Sequence, residues 1–131
     1  MIKIISWITA ILSALIMLQT LYFKFTAAPE SVFIFTQLGI EPYGRITVGV
    51  AELIASLLLL VPKSRSLGAL MGIGLMLGAI AGHLTKLGIE VMNDGGYLFA
   101  LSLVVLVSCV LCLNLERKQL TSFIKRVFTS R

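Results

Sequence analysis

The sequence predicts an all-α membrane protein: a four-transmembrane-helix bundle with a short outer interfacial helix and an amphipathic C-terminal tail. Three observations support this fold class. The chain of 131 residues is 58% hydrophobic and 13% charged, whereas a soluble domain is about half apolar and about a quarter charged. Its mean hydropathy is +1.02. Its apolar residues form continuous runs, not the alternation over ~10 residues that is typical of β-barrel strands.

Four runs are long enough to cross a hydrocarbon core of ~30 Å at ~1.5 Å per residue. The first and fourth are uncharged, Glu52 interrupts the second, and His83 lies near the end of the third. The second begins just after Pro42. Because the gaps are short and no linker is evident, we expect one domain over 1–131. The predicted spans are 4–23, 44–61, 67–85 and 95–115, followed by the tail 116–131.

The first run also has features of a cleaved signal peptide. Lys3 gives a basic start, and Thr26 and Ala28 suit a cleavage site. However, the run exceeds the usual ~7–15 residues, and Gln19 and Lys24 fit poorly with cleavage. The sequence therefore favours a membrane span.

Two further segments are predicted to lie along the membrane surface. One runs from Pro29 to Leu38: Pro and Glu suit its first helical turn, and Gly39 ends it. The tail forms a basic amphipathic helix suited to an anionic leaflet, and a partly disordered tail is the alternative. The apolar face of that helix consists of Leu120, Phe123, Ile124, Val127 and Phe128.

The distribution of Lys and Arg predicts the orientation. With four spans, one side carries eight of the eleven basic residues: Lys3, Lys63, Arg65, Arg117, Lys118, Lys125, Arg126 and Arg131. The other side carries Lys24, Arg45 and Lys86. By the positive-inside rule both termini are cytoplasmic, which in a bacterium means a multi-pass protein of the inner membrane.

Glycines at spacings of four lie on shared faces of the third span, Gly68 with Gly72, and Gly74 with Gly78 and Gly82. Small faces let helix backbones approach closely in lipid. The sequence leaves open whether these faces meet a neighbouring span or a second copy of the protein.

Polar residues from several spans are predicted to meet in the outer half of the bundle, and no charge is expected within the inner half of the spans. Arg45 opens the second span and Glu52 lies two turns deeper, roughly 10 Å away on nearly the same face. A carboxylate in hydrocarbon needs a partner or a function. The candidate ligand-binding residues of an outward-facing pocket are Gln19, Lys24, Arg45, Glu52 and His83.

In this pocket Glu52 would pair with Lys24 or Arg45, and His83 would be a hydrogen-bond partner or proton carrier. Each residue also has a purely structural interpretation. The ion pair can hold helices in register, the cations can extend to the interface, and His83 can be a packing residue. No residue is assigned as catalytic.

Other kinds of site are disfavoured. The single histidine has no acidic or cysteine neighbours at metal-ligand spacing, so no metal site is predicted. Cys109 and Cys112 lie late in an apolar span, where the helix dipole disfavours a thiolate, so they are interpreted as structural. The basic residues collect at span ends and form no patch that would bind nucleic acid.

The order of these elements resembles the DoxX-like family of small bacterial membrane proteins. The resemblance covers roughly residues 4–114 and rests on short motifs. These are Leu21-Tyr22-Phe23-Lys24-Phe25, Gly39-Ile40-Glu41-Pro42, Arg45 through Glu52-Leu53, Leu57-Leu58-Leu59-Leu60-Val61-Pro62 and His83. It implies a four-helix bundle and a loose link to redox chemistry, because relatives include a membrane subunit of thiosulfate:quinone oxidoreductase and proteins that assist redox enzymes.

Two functions follow as hypotheses. The first is a redox accessory module that binds a quinone, or another small lipophilic molecule, non-covalently. In it Lys24 and Arg45 hold negative charge, and a redox enzyme or membrane-complex subunit is the partner. The second is a structural or assembly subunit without a ligand. A small oligomeric transporter is disfavoured by the uncharged inner half, and a homo-oligomer remains open.

Overall fold

The computed structural model describes residues 2–129 and confirms an all-α membrane bundle. Arg131, counted above with the basic tail, lies outside the described residues. Four helices within residues 2–129 are long and apolar enough to cross a membrane. They are α1 (Ile2–Phe25), α3 (Tyr43–Leu60), α4 (Arg65–Gly82) and α5 (Tyr97–Leu115), and the shorter helices are α2 (Pro29–Gln37) and α6 (Arg117–Thr129). A 3-10 turn at Pro62–Ser64 precedes α4, and a π-helical turn at His83–Leu87 follows it.

The four long helices form a ring in the order α1, α3, α4, α5, in which each packs against its two neighbours. Short connections reverse the chain direction at each step, so neighbours in the ring are antiparallel. Large apolar side chains such as Leu15, Leu57, Leu77 and Val107 are more than half exposed on the outside of the ring. An apolar outer surface of this kind belongs against lipid, and the chain is a multi-pass membrane protein.

Small side chains fill the centre of the bundle. Ala10, Ala55, Ala69, Cys109 and Cys112 are fully buried and come from all four long helices. In lipid, helices associate through close packing of such residues, because the surrounding hydrocarbon removes the hydrophobic drive. Both thiols are free, and their burial agrees with a packing role.

Gly68 and Gly72 let α4 approach its neighbours at very short range. A Cβ atom at Gly68 would lie 2.5 Å from the Leu59 nitrogen and 2.8 Å from the Ala55 oxygen, both backbone atoms of α3. A Cβ atom at Gly72 would lie 2.7 Å from the Sγ of Cys109. This glycine face therefore meets neighbouring spans, which answers one of the questions that the sequence left open.

The second glycine face is different. A Cβ atom at Gly74 or Gly78 would meet no atom within 4 Å, whereas one at Gly82 would lie 3.2 Å from the side chain of Leu38. Only Gly82 thus serves close packing, against the residue that follows α2. Gly74 and Gly78 border open space in the half of the bundle where α1 and α4 end, which the predicted orientation makes the outer half.

The inner end of the bundle corrects one prediction. Arg65 was assigned to a basic surface turn, with no charge expected in the inner half, but it begins α4 and is 2% exposed. Its Nε donates to the carbonyl oxygen of Leu59 at 2.8 Å, and its Nη1 donates to the Oγ of Ser6 at 3.3 Å. The guanidinium lies 4.0 Å from the ring centroid of Trp7, and Ser6 in turn donates to Glu116. One backbone carbonyl, a hydroxyl and an aromatic face offset part of the cost of burying this cation, and its buried Nη2 has no hydrogen-bond partner among the described residues.

The glycine contacts predict opposite effects for the same substitution at two positions of α4. Gly68→Ala should destabilise the bundle by about 1–3 kcal/mol, because the added methyl group forces backbone atoms of α3 away. Gly74→Ala is the matched control and should leave stability unchanged or raise it, since the methyl enters open space and alanine favours the helix. Unfolding of the purified protein in detergent measures both, and equal stabilities of the two variants would contradict the close α3–α4 contact.

Candidate functional site

A cavity of about 490 Å³ occupies the outer half of the bundle. All four spanning helices and α2 contribute to its wall, together with the segments that follow α2 and α4. Most of the lining is apolar, as in small-molecule sites generally. The polar and charged lining residues are Gln19, Thr20, Lys24, Glu30, Ser31, Glu52, His83, Asp94, Tyr97 and Ser102.

Two glycines of α4, which have no side chain, leave this space open along one wall. Gly74 and Gly78 both line the cavity, and nothing stands where their Cβ atoms would be. On another face of α4, Gly68 and Gly72 draw the inner halves of the helices together. One helix therefore closes the bundle at its inner end and leaves room at its outer end.

An ion pair between α1 and α3 lies in the cavity wall. The Nζ of Lys24 is 3.1 Å from the Oε1 of Glu52, and their side chains are 14% and 5% exposed. The Oγ1 of Thr20 lies 3.0 Å from the Oε2 of Glu52 and 2.8 Å from the carbonyl oxygen of Met17. A hydroxyl has one proton, so Thr20 can donate to either acceptor. Both carboxylate oxygens of Glu52 thus have a polar neighbour.

Arg45 has a different partner from the one that its spacing suggested. Its Nε donates to Glu41, one turn earlier, at 2.9 Å from Oε1 and 3.2 Å from Oε2. Its Nη1 donates to the carbonyl oxygen of Lys24. Arg45 is buried and is not among the residues that line the cavity. It ties the end of α1 to the start of α3, and so holds in place the helix end that carries Lys24.

His83 lies in the cavity wall where α4 gives way to the π-helical turn. Its Nδ1 is 2.9 Å from the carbonyl oxygen of Gly88, and its ring meets Phe99 edge-on, with the centroids 5.5 Å apart. A carbonyl oxygen only accepts, so Nδ1 carries a proton, and in the neutral ring Nε2 is an acceptor. The local fold therefore fixes one tautomer of this histidine.

Gln19 lies on the cavity wall with its side chain exposed. Helix α2 was predicted to rest on the membrane surface, and the structure gives it a further role. Ser31 and Phe35 are buried on its inner face, and both line the cavity. Thr20 and Ser31 were not identified from the sequence. Thr20 had a signal, since it lies four residues before Lys24 on the same helix face.

Asp94 is another cavity-lining residue that the sequence did not assign to the site. Its Oδ1 accepts from the backbone N–H groups of Val91 at 3.0 Å and Gly96 at 2.8 Å, and its Oδ2 from that of Leu98 at 3.2 Å. Burial by itself raises the pKa of Asp94, but hydrogen bonds from these groups and Tyr97 outweigh it and hold the pKa below its ordinary value of 3.8. A carboxylate just before a helix start is the available sequence signal.

In residues 2–129, no three His, Cys, Asp or Glu side chains come close enough to hold a metal ion.

The family model described as the DoxX-like family matches residues 8–112. No curated protein and no solved structure matches the chain.

The ion pair predicts a specific pattern of stability changes. Glu52→Gln leaves the ammonium of Lys24 without a counter-charge and should cost about 3–5 kcal/mol. Lys24→Met with Glu52→Gln removes both charges and should cost less than Glu52→Gln alone. Lys86→Met, which removes an exposed cation at the same end of the bundle, is the control and should change stability little. Unfolding in detergent gives all three values, and a Glu52→Gln variant as stable as the control would disprove the pairing.

The Asp94 hydrogen bonds predict a dependence on pH. Because the folded state lowers the pKa of Asp94, its ionised form stabilises the fold above the ordinary pKa of 3.8. That contribution is lost as pH falls below this value and through the lowered pKa of the folded state. Asp94→Asn should therefore cost about 1–2 kcal/mol at pH 7, with a gap to wild type that narrows below about pH 3.8. Melting temperatures measured across this range test it, and a gap that widens in acid would contradict it.

Proposed function

This chain belongs to the DoxX-like family, and on that premise we propose that it is a redox-associated accessory module which binds a quinone-like lipophilic molecule in its outer cavity. The observation that carries the proposal is a largely apolar chamber with the buried Lys24–Glu52 pair in its wall. A chamber of about 490 Å³ lies in the range of ~300–1,000 Å³ typical of small-molecule sites.

The lining suits a flat molecule that is apolar at its rim and polar at its carbonyl oxygens. Phe23, Phe35 and Leu101 offer apolar surface to a ring. Lys24 can donate a hydrogen bond to a quinone oxygen, and Nε2 of a neutral His83 can accept one from a quinol hydroxyl. The chain supplies binding and hydrogen bonds in this proposal, and electrons come from a partner redox enzyme or membrane-complex subunit.

The role first expected for the two cations changes in this proposal. Lys24 and Arg45 were expected to hold negative charge on a ligand, but Glu52 and Glu41 already neutralise them. A neutral guest therefore fits better than an anion. Arg45 acts as a positioning residue, because it bonds the backbone of Lys24 and not the cavity.

The proposal places the protein in the bacterial cytoplasmic membrane with both termini in the cytoplasm. The bias of eight basic residues against three supports that orientation, and it puts the cavity on the outer side. A guest would then be reached from the outer leaflet or from the periplasmic space.

A structural or assembly subunit is the second candidate. The observation in its favour is that the polar groups of the site satisfy each other. Glu52 has Lys24 and Thr20, and Arg45 has Glu41 and the carbonyl of Lys24. Such contacts hold α1 against α3 without any guest. In that case Glu52→Gln would impair assembly and leave no binding to lose.

Binding of decylubiquinone and of a short-chain menaquinone tests the proposal, by titration calorimetry on the protein in detergent. Gly78→Leu fills the cavity and should weaken binding at least about tenfold, or ~1.4 kcal/mol. Leu77→Phe adds bulk at the neighbouring lipid-facing position and is the control, with binding unchanged. Glu52→Gln should also weaken binding, because the Lys24 ammonium is no longer held at the cavity wall in the position from which it donates to the quinone oxygen.

Two results would overturn the proposal. One is that the wild-type protein binds neither quinone. The other is that Gly78→Leu and Leu77→Phe bind equally well while melting at the same temperature as wild type. Loss of a co-purified partner in Glu52→Gln, with no quinone binding in any variant, would support the structural subunit instead.

A further inference from the structure

Helix α6 stands apart from the rest of the bundle. None of its described residues is buried, and its contacts with α4 and α5 are few. Phe123, Ile124 and Phe128 are 43%, 44% and 74% exposed, while Arg117, Lys118, Lys125 and Arg126 supply positive charge. An amphipathic helix beside the ends of membrane spans belongs at the lipid–water boundary.

A single glutamine fixes α6 against the turn that precedes α4. The Nε2 of Gln119 donates to the carbonyl oxygen of Pro62 at 2.6 Å. Its Oε1 accepts from the backbone N–H of Ser66 at 2.9 Å. Both ends of the amide are used, so the distance between α6 and the Pro62–Ser64 turn is set by the fold. The space between them is consequently preformed.

That space is a groove of about 410 Å³, separate from the outer cavity and lined by Lys63, Gln119, Ser122, Phe123 and Arg126. Two cations, a hydroxyl and an aromatic ring face it, and no carboxylate does. Neither Lys63 nor Arg126 forms a salt bridge with any residue in 2–129. The nearby Glu116 accepts a hydrogen bond from Ser6 instead.

We propose that this groove binds the headgroup of an anionic phospholipid. Lys63 and Arg126 contact the phosphate oxygens, since ammonium and guanidinium groups are the usual partners of phosphate. Ser122 bonds a headgroup hydroxyl. Phe123 leads from the groove to the exposed apolar face of α6, so an acyl chain can continue along that face into the bilayer.

Two features favour an anionic lipid over other sources of phosphate. A zwitterionic headgroup carries an ammonium or choline group, and the groove lining offers no carboxylate to receive it. A free phosphate ion would use the two cations but not the apolar surface beside them. The proposal concerns the end of the bundle opposite the outer cavity and does not depend on the quinone proposal.

Native mass spectrometry of the purified full chain in detergent tests the site, with phosphatidylglycerol and phosphatidylcholine of identical acyl chains as probes. Lys63→Ala/Arg126→Ala should lower the affinity for phosphatidylglycerol by about 10- to 30-fold, because each lost charge is worth about tenfold or less. Arg117→Ala/Lys118→Ala removes two charges from the same helix outside the groove and should lower it by no more than about threefold.

Wild type should bind phosphatidylglycerol more tightly than phosphatidylcholine, and millimolar inorganic phosphate should not displace the bound lipid. The proposal is overturned if the affinity for phosphatidylglycerol falls by the same factor in both double variants. That result would mean that the basic helix attracts the lipid through its overall charge and not through the groove. The proposal is equally overturned if the two lipids bind alike or if inorganic phosphate displaces the lipid. Equal melting temperatures of the two variants show that the comparison is between folded proteins.

Discussion

The close contact between α3 and α4 at Gly68 is the constraint on which the rest of the bundle depends. Lipid gives helices no hydrophobic reason to associate, so they must gain their stability from short-range packing. At Gly68 the backbone of α3 lies where a side chain would otherwise be. The helices are thus held together at their inner halves, and the outer halves are free to enclose a space.

The buried charged side chains of the bundle each contact a group that partly compensates the charge. Lys24 meets Glu52 and Arg45 meets Glu41 at the outer end, while Arg65 rests on Trp7 at the inner end. A buried charge left alone would cost several kcal/mol. The Lys24–Glu52 pair and the hydrogen bond from Arg45 to the Lys24 carbonyl connect α1 to α3, on the side of the bundle opposite the α4–α5 contact. Lys24 and Glu52 therefore both support the structure and line the cavity.

The sequence was sufficient to predict the fold and part of the site. Span length, hydropathy and the depth of a residue within a span all follow from the order of residues along the chain. Depth along the spans placed Gln19, Lys24, Glu52 and His83 at one end of the bundle, and in the structure all four line the same cavity. It did not give the partner of Arg45, because helical periodicity allows both Glu41 and Glu52, and only the coordinates decide between them. It also placed Arg65 in a surface turn, since a cation beside Lys63 looks solvated until the positions of Ser6 and Trp7 are known.

The antiparallel ring has a consequence for the electric field inside the outer chamber. Two helices end there with their negative poles and two begin there with their positive poles, so the backbone dipoles largely cancel. The electric field in the chamber is therefore determined mainly by the charged side chains that line it. These are one ammonium group, that of Lys24, and three carboxylates, those of Glu30, Glu52 and Asp94. If the chamber takes a guest as proposed, this balance of charge disfavours oxyanions and favours uncharged molecules.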